Sequence, residues 1–158
     1  MTAALGAPVI TSSSNIATVA RIAPVAERRQ MRVGLHNHSA ITPNEFASAQ
    51  SLADALIKGR FIGVNLDLGH FTAANQDAVA FVTRHHDRIV TLHLKDRKRN
   101  HGPDVAMGAG DVPIEAVLRL VRDRRWPMAM NLEYEYDGRD AVEEVGKMLA
   151  HCRRALNL

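Results

Sequence analysis

Four short stretches place metal-competent or acid–base side chains where an apolar run gives way to polar residues. They are Leu35-His36-Asn37-His38, Asp67-Leu68-Gly69-His70, His93-Leu94-Lys95-Asp96 and Glu133-Tyr134-Glu135. Carboxylate and imidazole together suit Mn²⁺, Zn²⁺, Co²⁺ or Fe²⁺, whereas an all-oxygen set suits Mg²⁺ or Ca²⁺. A buried Asp, Glu or His is costly without a partner. A divalent cation is one such partner and a hydrogen-bonded polar network is the other. A lone histidine is more often structural than catalytic; polar residues at four successive apolar-run ends favour the metal.

The elements that must position these residues follow from the spacing. His36, Asp67, His93 and Glu133 are separated by 31, 26 and 40 positions. A (β/α)8 barrel of ~250 residues averages about 31 per unit, so each marker falls one βα unit after the last. A polar, Gly-containing loop over 96–112 accounts for the longer third gap. Strands are expected over 9–11, 31–36, 61–67, 88–94 and 128–134. Helices are expected over 16–29, 47–58, 74–86, 113–124 and 139–155, with a loop containing Pro43 before the second. Ser12 to Asn15 offer capping chemistry for the first helix. Pro24 is expected to kink or interrupt it, and Pro113 suits a helical first turn. Five βα units in order imply a parallel sheet with helices outside it, and a site at the C-terminal strand ends. Side chains two apart share a face, which groups His36 with His38, Asn65 with Asp67, and Asn131 with Glu133.

Composition excludes several classes. The chain has 158 residues, 46% hydrophobic and 23% charged, which are ordinary globular values. It contains no apolar run long enough for a membrane helix. One cysteine, Cys152, points to a reducing compartment and reads as a packing residue. No basic residue precedes Arg21, so a secretory n-region is missing, and no long apolar run follows Arg28-Arg29. A cytoplasmic location is expected. Twenty basic against 17 acidic residues give +3, the one dense basic cluster is Lys95 to Arg99, and aromatics are 4%. Neither a broad basic face nor a stacking platform results, so no nucleic-acid or membrane partner is expected. Of eight histidines, His36, His38, His70 and His93 fall at the strand ends. His85-His86 suits a helix C-terminus, His101 lies in a loop, and His151 is expected exposed on the last helix.

Taken together, VGLHNHS, GVNLDLGHFTAAN, RIVTLHLKDRKR, GAGDVPIEAVLRLV and NLEYEY resemble the sugar phosphate isomerase/epimerase group of the xylose-isomerase-like TIM-barrel superfamily, over about residues 31–136. The resemblance implies that Asp67, His93 and Glu133 ligate a divalent metal, that His70 contacts a substrate hydroxyl, and that Arg99 contacts substrate near the reacting carbons. Epimerases of the superfamily present a glutamate where this chain has His36-Asn37-His38. Either His36 serves as ligand and base, or Glu45 reaches in from the loop. The implied reaction is proton transfer next to a carbonyl through a metal-stabilised enediolate. Glu133 is the expected acid/base, with His36 or His38 as its counterpart. His38 and Lys95 join His70 and Arg99 as substrate contacts, unless Lys95 is a surface lysine.

The expected fold is therefore α/β: a single domain over 1–158, forming a partial (β/α)8 TIM barrel that lacks roughly its first three units. A complete barrel needs ~200 residues or more. Its outer strands are expected to expose edges that invite pairing, so a homo-oligomer is possible. The expected cofactor is a divalent cation, Mn²⁺ first, then Zn²⁺, Co²⁺, Mg²⁺ or Fe²⁺. The expected partner is a small sugar or polyol substrate, phosphorylated or not. Competing functions are a metal-dependent endonuclease or hydrolase of the same superfamily, and a truncated barrel that binds metal or sugar without turnover.

Overall fold

The computed structural model describes residues 2–40, 45–138 and 140–158. The loop around Pro43 and the expected helix start at 139 lie outside them. After a 3₁₀ turn at Thr2–Leu5, strand β1 (Val9–Ser13) takes in two of the serines expected as caps. Asn15 does the capping: its side chain accepts from the Thr18 N–H at 3.0 Å, and helix α1 (Ile16–Arg29) begins. Pro24 lies inside α1 without interrupting it. The ring removes the bond to the Ala20 carbonyl, but Ala20 and Pro24 both face solvent, so water can donate to that carbonyl instead.

Strand β2 (Arg32–His36) precedes helix α2 (Ala49–Leu56), which starts at a reciprocal Ser48–Ser51 capping box. Strand β3 (Ile62–Asp67) follows. Ahead of the helix expected over 74–86 stands a further short one: α3 (Leu68–Ala73) precedes α4 (Ala78–His85), which is the expected helix. Asp67 starts the first by accepting from the His70 N–H at 2.7 Å. Asn75, in the left-handed region at φ 60°, separates the two, and Asp77 caps the second.

Strand β4 (Ile89–Leu94) enters the 96–112 segment, which is not all loop. Strands β5 (Asp96–Arg97) and β6 (Asp104–Val105) pair there in antiparallel fashion. Buried Asp96 accepts backbone N–H bonds from Gly108 (2.8 Å), Gly110 (2.9 Å) and Val112 (3.2 Å), pinning the segment that feeds helix α5 (Ile114–Arg124). Gly110 is required there, since a Cβ would lie 2.0 Å from Asp96 Oδ1. Pro113 is the N-cap of α5 and not part of its first turn. Strand β7 (Ala129–Leu132) is shorter than expected, although the Glu133 N–H still bonds to the Leu94 carbonyl at 3.1 Å. Helix α6 (Ala141–Leu156) closes the chain.

The five main strands are parallel in the order β1-β2-β3-β4-β7, and they curl into a half-barrel with helices on the outside. The face toward the helices is apolar: Val33, Leu35, Val64, Leu66, Leu92 and Leu94 are each at most 6% exposed. The concave face carries Gly34, His36, Asn65, Thr91, His93 and Asn131. One irregularity sets this division. Val64 pairs with Ile89, but Asn65 pairs with Thr91, leaving Val90 as a bulge. Its side chain fills the space over two glycines, where a Cβ on Gly34 or Gly63 would come within 2.3 and 2.8 Å of it. A one-residue slip exchanges the two faces of a strand. Without the bulge His93 would point toward the helices; with it His93 lines up opposite Asp67 on the concave side. Among the described residues, no helix is long and apolar enough to cross a membrane.

Candidate functional site

The C-terminal ends of β3, β4 and β7 bring Asp67, His93 and Glu133 together. His93 Nδ1 lies 3.2 Å from Glu133 Oε2 and 4.0 Å from Asp67 Oδ2. One donor atom from each of the three lies within 4.8 Å of the others. Bonds of ~2.1 Å to an ion put neighbouring donors about 3–4 Å apart, so the spacing fits one cation. Asp67 is fully buried. Asp67 Oδ2, His93 Nδ1 and Glu133 Oε2 are buried atoms that make no well-directed hydrogen bond. A divalent cation would satisfy all three. His36, Asp67 and His70 form a second such group sharing Asp67.

The surroundings hold these groups in place. The Asn37 side chain brackets the Asp67 backbone, accepting from its N–H at 2.8 Å and donating to its carbonyl at 3.1 Å. Asn65 places its side-chain amide 3.2 Å from His93 Nε2 and 3.4 Å from His36 Nδ1, with its own carbonyl oxygen unpaired. Turned by 180°, that amide would accept from a His93 Nε2–H and leave Nδ1 free to ligate, a common outer-shell arrangement for metal-bound histidine.

Lys95 is not a surface residue. Its side chain is 3% exposed, with Nζ 3.1 Å from both Asp67 Oδ2 and Glu133 Oε2, and it pairs with Glu135 as well. Gly69 makes the room: a Cβ there would meet Lys95 Cγ at 2.6 Å. His70 lies between two cations, with Nε2 3.1 Å from Lys95 Nζ and Nδ1 2.7 Å from Arg97 Nη1. Arg97 is itself fixed by the Gly102 carbonyl at 2.8 Å and by Asp104 at 3.4 Å.

Protonation follows from these contacts. Burial, then His38 and His93, lower His36 to about 4. Burial, then Lys95 and Arg97, lower His70 to about 3. Both rings are neutral at pH 7 and have a lone pair to offer. The close approach of Glu133 raises His93, and the same contact holds Glu133 well below the usual carboxylate range. Burial, with Glu133 adding to it, pushes Asp67 up against the pull of Lys95. Burial works against the Lys95 ammonium, but Asp67, Glu135 and Glu133 outweigh it and hold the group charged.

Of the residues singled out in the sequence, the structure gathers His36, His38, Asp67, His70, His93, Lys95 and Glu133. The ring centroids of His36 and His38 are 5.0 Å apart, and those of His38 and His70 are 5.6 Å apart. Glu45 lies 3.0 Å from His38 Nδ1. Arg99 is exposed on the turn after β5, its backbone N–H held by Asp111 at 2.9 Å. Arg97 is the arginine that meets His70. Arg97 and Glu135 had no role in the sequence reading, although each lies two positions beyond a named residue and so shares its side of an extended chain. His151 is 17% exposed, against the expectation of a surface residue, and lies 3.7 Å from Glu115.

Next to the triad is an open cavity of about 290 Å³ lined by Thr11, Ser12, Ser13, His36, Asn65, His93 and Glu133. A larger one, about 890 Å³, lies against α1 and the edge of β1 and is lined by Ile10, Ile22, Val25 and Met31 among others. It has no carboxylate or imidazole in its lining, so the smaller cavity is the one suited to chemistry.

Comparison with known proteins agrees with this architecture. The chain superposes on a xylose isomerase domain protein from Planctomyces limnophilus with TM-score 0.74 and 17% identity, covering 99% of this chain and 62% of that one. It superposes on a D-allulose 3-epimerase from Methylomonas sp., solved in complex with D-allulose, with TM-score 0.72 and 13% identity, covering 98% and 65%. The probable 3-DHS dehydratase AsbF from Bacillus anthracis gives TM-score 0.71 and 16% identity over 95% and 65%. The chain thus spans less than two thirds of the length of each of these solved proteins. A comparison with curated proteins finds no match. The model of one family, described as xylose isomerase-like TIM barrel, matches residues 14–155. The chain belongs to the xylose isomerase-like TIM barrel family.

Proposed function

We propose that this chain carries the metal-dependent proton-transfer site of a sugar or polyol-ketone isomerase or epimerase. The observation that carries the reading is the convergence of buried donor atoms of Asp67, His93 and Glu133, opening onto a small cavity lined by hydroxyls and imidazoles. Such a lining suits a ligand rich in hydroxyl groups. Asp67, His93 and Glu133 would hold the cation, with His36 as the further donor. A divalent cation, when bound, supplies Lewis-acid polarisation of a carbonyl and its neighbouring hydroxyl.

The chain's own residues do the rest. Glu133 is ionised at neutral pH and lines the cavity, so it is ready to accept a proton from the carbon beside a carbonyl. Neutral His36, or His38 beside it, is the counterpart that holds or returns the proton. His70, with Arg97 beside it, presents hydrogen-bonding groups to substrate oxygens, while Lys95 lies buried behind the ligands and Arg99 would reach substrate only by folding in from the exposed turn. Return of the proton to the opposite face of one carbon inverts it. Return to the neighbouring carbon interconverts aldose and ketose.

The test is solvent deuterium incorporation into ketoses and inosose-type polyols with Mn²⁺ present. Exchange at the carbon next to the carbonyl, cut by roughly 10²-fold or more in Glu133→Gln, supports the reading. Well-folded protein that exchanges no substrate contradicts it for this chain. Loss of water from a substrate, without inversion or isomerisation, would assign the site to elimination.

A further inference from the structure

Lys95 stands where the candidate ligands converge. Its Nζ contacts Asp67 Oδ2 and Glu133 Oε2, both at 3.1 Å, and these are the same two oxygens that face His93 Nδ1. An ammonium has three hydrogens, and here Asp67, Glu133 and Glu135 surround it. The lysine therefore sits in the cradle a metal would use and neutralises carboxylates that would otherwise repel each other.

That seat is opposed from one side. A neutral imidazole has one N–H and one lone pair. Arg97 can only donate, and its Nη1 lies 2.7 Å from His70 Nδ1, so the lone pair is at Nδ1. Nε2 then carries the hydrogen and points it at Lys95 Nζ from 3.1 Å, donor against donor. A second seat exists beside the first: the Glu135 carboxylate, 47% exposed and outside the Asp67–His93–Glu133 triad.

We propose that Lys95 is a built-in counter-cation of the metal centre, holding Asp67 and Glu133 together in the metal-free chain and yielding them to a divalent cation by moving toward Glu135. The inference rests on Asp67, His93 and Glu133 being the ligands. It assigns Lys95 a positioning role: it sets how tightly the metal is held and keeps the empty site from flying apart.

The test is Mn²⁺ titration of Lys95→Met, by calorimetry or electron paramagnetic resonance, with thermal unfolding measured with and without Mn²⁺. The variant is expected to bind Mn²⁺ roughly tenfold tighter. It should unfold at a lower temperature than the parent when metal-free, and gain more from added Mn²⁺. Lys98→Met removes the same charge from an exposed side chain three positions along and should leave the affinity within about twofold, as a screened surface charge does. If Lys95→Met does not fold without metal, Glu135→Gln gives the complementary readout. Removing the second seat should weaken Mn²⁺ binding, and by more than Glu143→Gln does on the exposed face of α6. Parent protein that binds Mn²⁺, with Lys95→Met binding it no tighter or Glu135→Gln no weaker, overturns the role of Lys95 alone. Parent and variants that all fail to bind Mn²⁺, Zn²⁺ or Co²⁺ overturn the ligand assignment, and this inference with it.

Discussion

Glu133 and His93 lie 3.2 Å apart, and each sets the other's protonation. The contact raises the imidazole and lowers the carboxyl. In Glu133→Gln the metal-free His93 ring should titrate at lower pH than in the parent, and so should His36, which Glu133 also raises, while His70 still titrates near 3. Two-dimensional NMR of the imidazole protons reads all three. The sign for stability follows from His70. Its folded value, about 3, lies below the unfolded 6.5, so the unfolded chain takes up more protons between them. Its contribution is fully present above about 6.5 and is lost as the pH falls toward 3. Metal-free His70→Asn should therefore lose less melting temperature than the parent across that window. That His36, Asp67, His93 and Glu133 would meet at one end of the sheet was legible in the sequence because each ends an apolar run one βα unit after the last. The burial of Lys95 was not legible. It depends on Gly69, from the preceding unit, leaving space for the lysine stem, and neighbouring units meet only in the folded sheet.

At the scale of elements, the β4 bulge decides which side of the sheet carries the chemistry. Val90 is the extra residue, and its side chain needs the emptiness of Gly34 and Gly63. In Gly63→Ala the new Cβ would meet both Val90 and the Arg88 carbonyl, the latter at 2.7 Å. Overpacking of this kind costs about 1–3 kcal/mol. Chemical denaturation should show a loss in that range, and a loss below about 0.5 kcal/mol would mean that the bulge is not held by this contact. The strand order and the outer helices could be read from alternating apolar runs and caps. The bulge could not, because RIVTLHL reads as an uninterrupted strand whether or not one residue is left unpaired. The short helix α3, which precedes the expected 74–86 helix, has a similar cause. Asp67 is both a candidate ligand and the cap of α3, so the helix starts at the site itself.

Across the whole molecule, the half-barrel ends in two strands that each have one neighbour, β1 and β7. Beside β1, Ile10 and Val25 are 42% and 46% exposed, next to the cavity of about 890 Å³. A closed barrel has no free edge strand, and an open apolar edge favours self-association. Light scattering coupled to gel filtration should show association that rises with concentration and falls in Ile10→Lys. An unchanged profile would mean that this edge does not drive it. The barrel was legible from the spacing of its strand-end residues, and its partial extent from the number of units. The polar concavity of the sheet, by contrast, comes from curvature, which only the assembled strands possess.

The central claim is that Asp67, His93 and Glu133 form a divalent-metal centre at the rim of this half-barrel. Mn²⁺ binding to the parent chain and to Asp67→Asn, with both folds checked by circular dichroism, tests it most directly. A bound ion is expected in the parent, with the affinity reduced by roughly a hundredfold or more in the variant. Equal affinity in the two proteins, or no binding to the folded parent, would contradict it.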